Sequence, residues 1–405
     1  MPRSGGAVIP MQLNFNELQY VVGTAETAEE MKNTAPLRPF DDGVIAFLSD
    51  LSAVLRTNRS YPDVATFGFW CRKAALMQEK AKYDDIDERF GRGIVFHSTP
   101  SNVPVNFAFS FASGLLAGNA NIVRLPSRSF EQVNIICDAV RQLLTDKYSA
   151  LAPYVCFVKY PTVREINDAF SGLCSVRVIW GGDGTISEMR KSPLSARATE
   201  ITFADRHSAA VIDAGKYLAA DNKDIIAQDF YNDTYYTDQN ACTSPRIVFW
   251  LGSDTEAAKS DFWGRVHALA KERYNLAPVQ SVGKLNALCR AAAVKPLKLI
   301  KSEDMLVVRL TADNITSDLM DFKYNSGFFF EKDITDLSEM LPVCGERCQT
   351  LSYFGVSEDA LRKFIRDSRP YGIDRIVPIG KTMDFSLIWD GYDLIRQMSR
   401  RISII

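Results

Sequence analysis

Gly93-Ile94-Val95-Phe96-His97 followed by Ser98-Thr99-Pro100 is a short apolar run that stops at turn-forming residues. Such a run reads as a buried strand ending in a turn. Outward from it the chain alternates. Residues 105–117 are apolar with many small side chains and predict a buried helix. Residues 121–125 predict a strand, 129–146 a helix, 155–159 a strand, 162–170 a helix and 176–180 a strand. Gly181-Gly182-Asp183-Gly184 then leads into a helix from Thr185. Short strands interleaved with helices predict a parallel sheet with crossovers, which makes the fold class α/β. Upstream, residues 41–56 place Val44, Phe47, Leu48, Leu51, Val54 and Leu55 at helical spacing, and 66–82 predict a second helix. Downstream, Ala209-Ala210-Val211-Ile212 opens a second series of the same kind. It has helices at 223–231 and 254–272, strands at 246–251, 305–309 and 327–330, and a tail of strand, loop and amphipathic helix over 376–405. No Gly/Ser/Pro linker separates the two series.

The whole chain has 405 residues, enough for two or three domains. With 46% hydrophobic residues it can bury a core, which excludes disorder as its main state. A formal net charge of −2 removes the bulk electrostatic argument for nucleic acid or an anionic membrane as chief partner. No apolar stretch approaches the roughly 18–20 residues of a membrane span, and residues 1–12 lack a signal-peptide run, so a cytoplasmic protein is expected. The eight cysteines are scattered, and most are expected as buried thiols. Only Cys344 and Cys348 lie close together, and with three histidines in the chain no metal site is expected.

Two segments could carry chemistry. The first is Asp238-Gln239-Asn240-Ala241-Cys242-Thr243-Ser244-Pro245-Arg246, where a cysteine stands among small and polar residues just ahead of an apolar strand. Exposed at a helix start, Cys242 would have its pKa lowered by unpaired N–H groups and the helix dipole. Those N–H groups could also hold an oxyanion. The plainer reading is a buried loop cysteine. The second runs from Gly91 through Ser101-Asn102-Val103-Pro104 to Gly118-Asn119-Ala120-Asn121-Ile122-Val123-Arg124-Leu125-Pro126-Ser127. At a strand-to-helix junction the Asn102 amide can donate to a developing negative oxygen, or cap the helix with Pro just inside it.

Ser-Asn-Val-Pro at 101–104, Gly-Asn-Ala-Asn-Ile-Val-Arg-Leu-Pro-Ser at 118–127 and Gln-Asn-Ala-Cys-Thr-Ser-Pro-Arg at 239–246, in that order, resemble the aldehyde dehydrogenase superfamily. More closely, the chain resembles the LuxC-type acyl-CoA reductases, which make fatty aldehyde in bacterial luminescence. Tyr61-Pro62-Asp63-Val64-Ala65, Gly91-Arg92-Gly93-Ile94-Val95-Phe96-His97, Arg375-Ile376-Val377-Pro378-Ile379-Gly380 and Trp389-Asp390-Gly391-Tyr392-Asp393 match the same family. The resemblance implies a Rossmann-like cofactor domain and a second α/β catalytic domain. The expected division is 1–206 for N-terminal helices and dinucleotide binding, 207–374 for catalysis, and 375–405 for a segment packing back or lying at a subunit interface.

What the resemblance implies at each position can be checked against chemistry. Cys242 matches the nucleophile that takes the acyl group as a thioester. Asn102 matches the oxyanion donor. Arg124 matches the lysine that holds the adenosine ribose, although a snorkelling strand-end arginine reads the same way. Ser127 stands where NAD-preferring relatives carry Glu; without that repulsion, and with Arg124 nearby, NADPH is the expected cofactor. Ser101 belongs to the same cofactor loop. Gly181, Gly182 and Thr185 match the loop and helix start near the cofactor phosphates, although Gly-Gly-Asp-Gly also makes an ordinary turn. In the segment Glu200-Ile201-Thr202-Phe203-Ala204-Asp205-Arg206-His207, Thr202 replaces the general base of the hydrolysing relatives, or Glu200 does that work if the alignment slips by two. His207 could serve Cys242 as an acid or base, or be structural. His97 is read as structural, and Trp389–Tyr392 as a packing or subunit contact.

The expected reaction is therefore NADPH-dependent reduction of an acyl-CoA, acyl-carrier or acyl-enzyme thioester to an aldehyde. Its competitors are a CoA-acylating aldehyde dehydrogenase running oxidatively and a non-catalytic scaffold subunit. An acyl-transferring synthetase and further copies of the chain are the expected partners.

Overall fold

The apolar run at 94–98 forms an inner strand of a six-stranded sheet in the computed structural model, which describes residues 17–301 and 304–404. In chain order the strands are β1 (Gln19–Val22), β2 (Ile94–Ser98), β3 (Ala120–Arg124), β4 (Val155–Lys159), β5 (Val176–Trp180) and β6 (Thr199–Phe203). Their order across the sheet is β1-β4-β3-β2-β5-β6, parallel throughout except for β1. All of β2 and β5 is buried, as expected for a parallel sheet covered on both faces. The α-helices of this unit longer than six residues are α1 (Asp42–Leu55), α2 (Pro62–Trp70), α3 (Lys73–Lys80), α4 (Asn106–Leu116), α5 (Glu131–Asp146), α6 (Arg164–Leu173) and α7 (Asp183–Met189).

The expected single helix over 66–82 is two helices, broken at Cys71–Arg72. Val64, Phe67 and Cys71 share one helical face, whereas Leu76 lies nine positions beyond Phe67, about half a turn away at 100° per residue. The break lets Phe67 and Leu76 both enter the core.

Helix α4 is buried on nearly every side, and Gly114 is the reason it can lie so close to the sheet. A Cβ there would fall 2.0 Å from Asn121 Oδ1 and 3.0 Å from His97 Nε2. A buried polar chain runs through this contact. Trp180 Nε1 donates to Ser110 Oγ (2.8 Å), Ser110 Oγ to His97 Nδ1 (2.7 Å), and His97 Nε2 to Asn121 Oδ1 (3.0 Å). Asn121 in turn donates to Asn119 O, and Asn119 to Met398 O, so the chain's last residues are tied in. Leu387, Trp389, Leu394, Ile395 and Met398 complete the same core. The tail helix is only Leu394–Met398, and Ser399–Arg401 pairs with Arg89–Gly91.

Burial pushes the His97 imidazole down to about 4, so it is neutral in the fold. A histidine with a depressed folded pKa contributes stability that is complete above its ordinary value near 6.5 and lost as pH falls through 4. The wild-type chain is expected to lose about 3 kcal/mol from this group between pH 7 and pH 4. Urea denaturation at both pH values would show a smaller loss for His97→Gln; equal losses would refute the assignment.

Among the described residues, those up to Ala204 and from Phe385 form the first unit and those over Asp205–Asp384 form the second. Its seven strands are β7 (His207–Asp213), β8 (Pro245–Leu251), β9 (Leu297–Lys301), β10 (Val308–Ala312), β11 (Phe328–Ile334), β12 (Cys348–Phe354) and β13 (Arg375–Pro378). They are ordered β9-β10-β11-β8-β7-β12-β13, with only β9 antiparallel. Alternate residues of β7 and β8 enter separate buried clusters, Val211 and Phe249 on one face, Ile212 and Trp250 on the other. Helices α8 (Lys223–Thr234), α9 (Thr255–Arg273), α10 (Pro278–Val294) and α11 (Glu358–Ser368) belong to this unit.

The strand expected at 305–309 begins only at Val308. Met305 has φ 59°, and the carbonyls of Met305 and Leu306 are taken by Lys284 Nζ, with Tyr235 Oη also on Leu306, so they are unavailable to the ladder. No described helix is long and apolar enough to cross a membrane.

Candidate active site

In the first unit the chain leaves β2 toward β3 and β4, then returns to place β5 and β6 on the other side of β2. The strand order therefore reverses at β2, and open α/β sheets bind ligands in the crevice beyond the carboxyl ends at such a point. Ser101 and Asn102 lie in the loop after β2, Arg124 ends β3 with Ser127 just beyond, and Gly181, Gly182 and Thr185 follow β5. Sequence reasoning picked out these residues separately, and the sheet gathers them along one edge.

Their local settings differ. Ser101 and Asn102 are exposed, and Asn102 does not cap α4, whose N-cap is Val105 without a side-chain bond. The capping alternative for Asn102 is thereby removed. Arg124 lies 4.4 Å over the Tyr160 ring and donates weakly to Tyr160 O at 3.4 Å. That stacking holds it at the strand end, as the plainer reading expected. Ser127 is exposed, and so is Arg128 beside it, a residue that sequence reasoning passed over. Gly181 lets the loop close on Thr185, since a Cβ would meet Thr185 Cγ2 at 3.0 Å. Helix α7 carries Asp183 in its first turn, which weakens its pull on anions. Helix α4 has no acid in its first turn and is the better anion-facing helix start.

The helix that follows β2 opens on an unpartnered polar atom. Asn106 Oδ1, in the first turn of α4, is buried and has no hydrogen-bond partner among the described residues. A buried polar atom of this kind is costly unless something fills its need.

In the second unit Cys242 does not open a helix. It is a central residue of the turn closed by Ser244 N donating to Ala241 O (3.1 Å), immediately before β8. The expected helix dipole is therefore absent from this site. The turn is held from several sides instead. Asp238 and Gln239 both take left-handed backbone angles, φ 53° each, which L-residues adopt at a cost. Gln239 is fully buried and accounts for that strain: its Oε1 accepts from Gly327 N (2.7 Å) and Phe328 N (3.2 Å), and its Nε2 donates to Pro245 O (3.1 Å). Buried Ser208 donates to Cys242 O at 2.8 Å. Thr243 Oγ1 donates to Met383 Sδ at 3.4 Å, and Met383 is partly exposed beside the turn.

Cys242 itself is half-buried. The thiols of Cys71, Cys137, Cys156 and Cys174 are buried and pushed up by burial, the last three to about 12, which keeps them protonated. Cys289 is exposed on α10. Partial exposure on an over-determined turn distinguishes Cys242 from them.

His207 begins β7, and the register pairs its neighbour Ser208 with Pro245 of β8. Its Nε2 donates to Val343 O at 2.9 Å, and the register sets it beside Cys348 of β12. The imidazole is thus engaged with the Val343–Cys348 segment, and the structural reading accounts for it. Gln239, Ser208 and Arg246 are the supporting residues that sequence reasoning assigned no role; a buried Arg opening an apolar strand was the available signal. Among the described residues no group of three His, Cys, Asp or Glu could hold a metal ion.

Glu200 sits near the amino end of β6, where its carboxylate accepts from Arg177 Nε (2.9 Å) and Arg190 Nε (2.7 Å). Two guanidinium groups occupy its carboxylate oxygens, which leaves them ill placed to activate water. Thr202, two residues on, has no carboxylate to offer.

The description of the LuxC acyl-CoA reductases matches residues 72–302, more than half of the chain, and spans both Asn102 and Cys242. The chain belongs to the LuxC acyl-CoA reductase family. Its place there makes it an oxidoreductase acting on aldehyde or acyl groups. No curated protein sequence matches significantly. Among solved structures, aldehyde dehydrogenase 21 from Physcomitrella patens, in complex with the reaction product succinate, is 12% identical with TM-score 0.60, covering 93% of this chain and 83% of that one. The NAD-dependent benzaldehyde dehydrogenase from Corynebacterium glutamicum is 15% identical with TM-score 0.56, covering 92% and 82%. The Δ-pyrroline-5-carboxylate dehydrogenase from Mycobacterium tuberculosis, bound with NAD and cobalamin, is 14% identical with TM-score 0.60, covering 93% and 81%. At these identities the likeness is one of fold: the LuxC chain has the two-domain α/β fold of the aldehyde dehydrogenases.

Proposed function

We propose that this chain is an NADPH-dependent acyl-thioester reductase that releases an aldehyde through a Cys242 acyl-enzyme. The observation that carries the reading is a half-exposed cysteine on a turn buttressed by Gln239 and Ser208, within the region matched to the acyl-CoA reductases. Cys242 attacks the carbonyl of the acyl thioester, forms a new thioester to the enzyme, and the donor leaves as its thiol. Asn102 is assigned the amide that donates to the carbonyl oxygen. Ser101, Arg124, Ser127, Gly181, Gly182 and Thr185 would hold a reduced nicotinamide dinucleotide, which would supply the hydride that takes the acyl group to the aldehyde level, the Cys242 thiol leaving as the aldehyde is released. The commitment of Glu200 to Arg177 and Arg190 protects the acyl-enzyme from water, which favours reduction over hydrolysis. The acyl donor is CoA, a carrier protein or an acyl-transferring synthetase, and the working assembly is a homo-oligomer.

Incubating the protein with a panel of acyl thioesters and weighing the Cys242 peptide tests this. Acyl mass on that peptide supports the reading; labelling confined to other cysteines overturns it.

This reading assigns the adenosine 2′-phosphate to the end of β3, where Arg124 and Arg128 carry positive charge and Ser127 brings no carboxylate. NADPH is expected to bind more tightly than NADH. Ser127→Glu should reduce that preference by roughly tenfold or more, the effect of about 1.4 kcal/mol. Equal wild-type affinities, read by cofactor fluorescence titration, would remove the preference from the proposal.

A further inference from the structure

We propose that Arg246 is the positioning residue of the nucleophile: it fixes the turn that carries Cys242 and keeps the sulfur ionised. The inference rests on Cys242 being the nucleophile.

Arg246 is only 6% exposed. Its hydrogen bonds go to Tyr324 O (2.7 Å), Asn325 Oδ1 (2.6 Å) and Gln239 O, all neutral acceptors. Among the described residues no carboxylate pairs with it. These bonds join the turn before Cys242 to the segment ahead of β11. Asn325 extends the brace by donating to Asn240 Oδ1 at 2.6 Å. Losing Arg246 would free the carbonyl of strained Gln239 and the Tyr324–Asn325 segment together.

A buried cation held only by dipoles keeps most of its field, and that field favours a nearby anion. Burial lowers Arg246 to about 10, so it is still charged at neutral pH, while Asp238 and Cys242 act in the opposite sense. The Asp238 carboxylate already accepts from Tyr274 Oη and from Gln280 Nε2 at 3.0 Å. The Cys242 sulfur is the nucleophilic group within reach of the field.

Other charged groups surround this locus. Lys323 adds a second cation, lowered by burial and by Arg246 itself, with Asp205 and Asp321 opposing. Lys284 on α10 is buried against the carbonyls of Met305 and Leu306. From β7 and the residue before it, His207 and Arg206 turn to Val343 O and Cys348 O. From α8, Asp233 accepts from Gly380 N (2.7 Å) and Thr382 N (3.2 Å) in the stretch that carries Met383.

The test is the pH profile of iodoacetamide alkylation in the full chain, read by mass on the Cys242 peptide, with exposed Cys289 as internal reference. In the wild type the Cys242 midpoint should lie roughly one pH unit or more below that of Cys289. Arg246→Met should raise it to the Cys289 value and slow alkylation about tenfold at neutral pH. Arg246→Lys, which keeps the charge without the fork, should retain most of the shift, and His207→Gln all of it. Should Arg246→Met fail to fold, the wild-type and Arg246→Lys profiles decide. Coincident Cys242 and Cys289 midpoints in the wild type, or a shift that vanishes in His207→Gln, overturn the inference. Acyl capture by a Cys242 that titrates like Cys289 would defeat the role of Arg246 alone. A shifted profile without acyl capture would defeat the acyl-enzyme reading alone.

Discussion

Cys242→Ala is expected to abolish aldehyde formation and acyl labelling while the chain folds normally. The fold is spared because the bonds that shape the turn come from elsewhere: Ser208 grips the backbone carbonyl of residue 242, and Gln239 and Arg246 hold the flanks. Alanine keeps that carbonyl and removes only the sulfur. Chemistry is lost because no other described thiol shares these conditions. Cys289 is exposed on a helix, and the remaining cysteines are buried. Where a nucleophile works as one part of a unit, removing it costs on the order of 10⁶-fold in turnover. Aldehyde assays alongside circular dichroism make the comparison. Turnover near the wild-type rate in a folded variant would refute the nucleophile.

The second large effect is expected at Asn102. Asn102→Ala should lower kcat by about 10²–10³-fold, the 2.7–4 kcal/mol typical of a lost oxyanion donor. Its effect on KM should be small, since the donor acts where charge develops. Stability should change little, because Asn102 is exposed and caps no helix. An alanine at a true N-cap would instead lower stability by about 1 kcal/mol and leave kcat alone. Unchanged kcat in Asn102→Ala would exclude the oxyanion role.

Much of the first sheet was readable along the chain. Val155–Lys159 and Val176–Trp180 run as strands where their apolar runs place them, because a short buried strand is specified by its own side chains. Thr199–Phe203 was missed as a strand. It lies on the edge of the sheet, where only Ile201 and Phe203 are buried and no continuous apolar run marks it. The break at Cys71–Arg72 was invisible to periodicity, because both halves are helical and only the core demands that Phe67 and Leu76 point the same way.

The candidate site divides along the same line. Which residues can act as nucleophile, amide donor or phosphate neighbour is a property of residue type and local motif, and it made candidates of Cys242, Asn102 and the Gly181-Gly182 turn. Which of them is free to act depends on partners distant in sequence. Glu200 is spent on Arg177 and Arg190, and His207 faces Val343 and Cys348. Cys242 stands on a turn, braced by a buried arginine, where a helix start had been expected. Hydrophobic periodicity is written locally and survives in the linear chain. Hydrogen bonds and buried charges are settled only when strands and loops from remote positions meet, so the electrostatic setting of the sulfur belongs to the folded molecule.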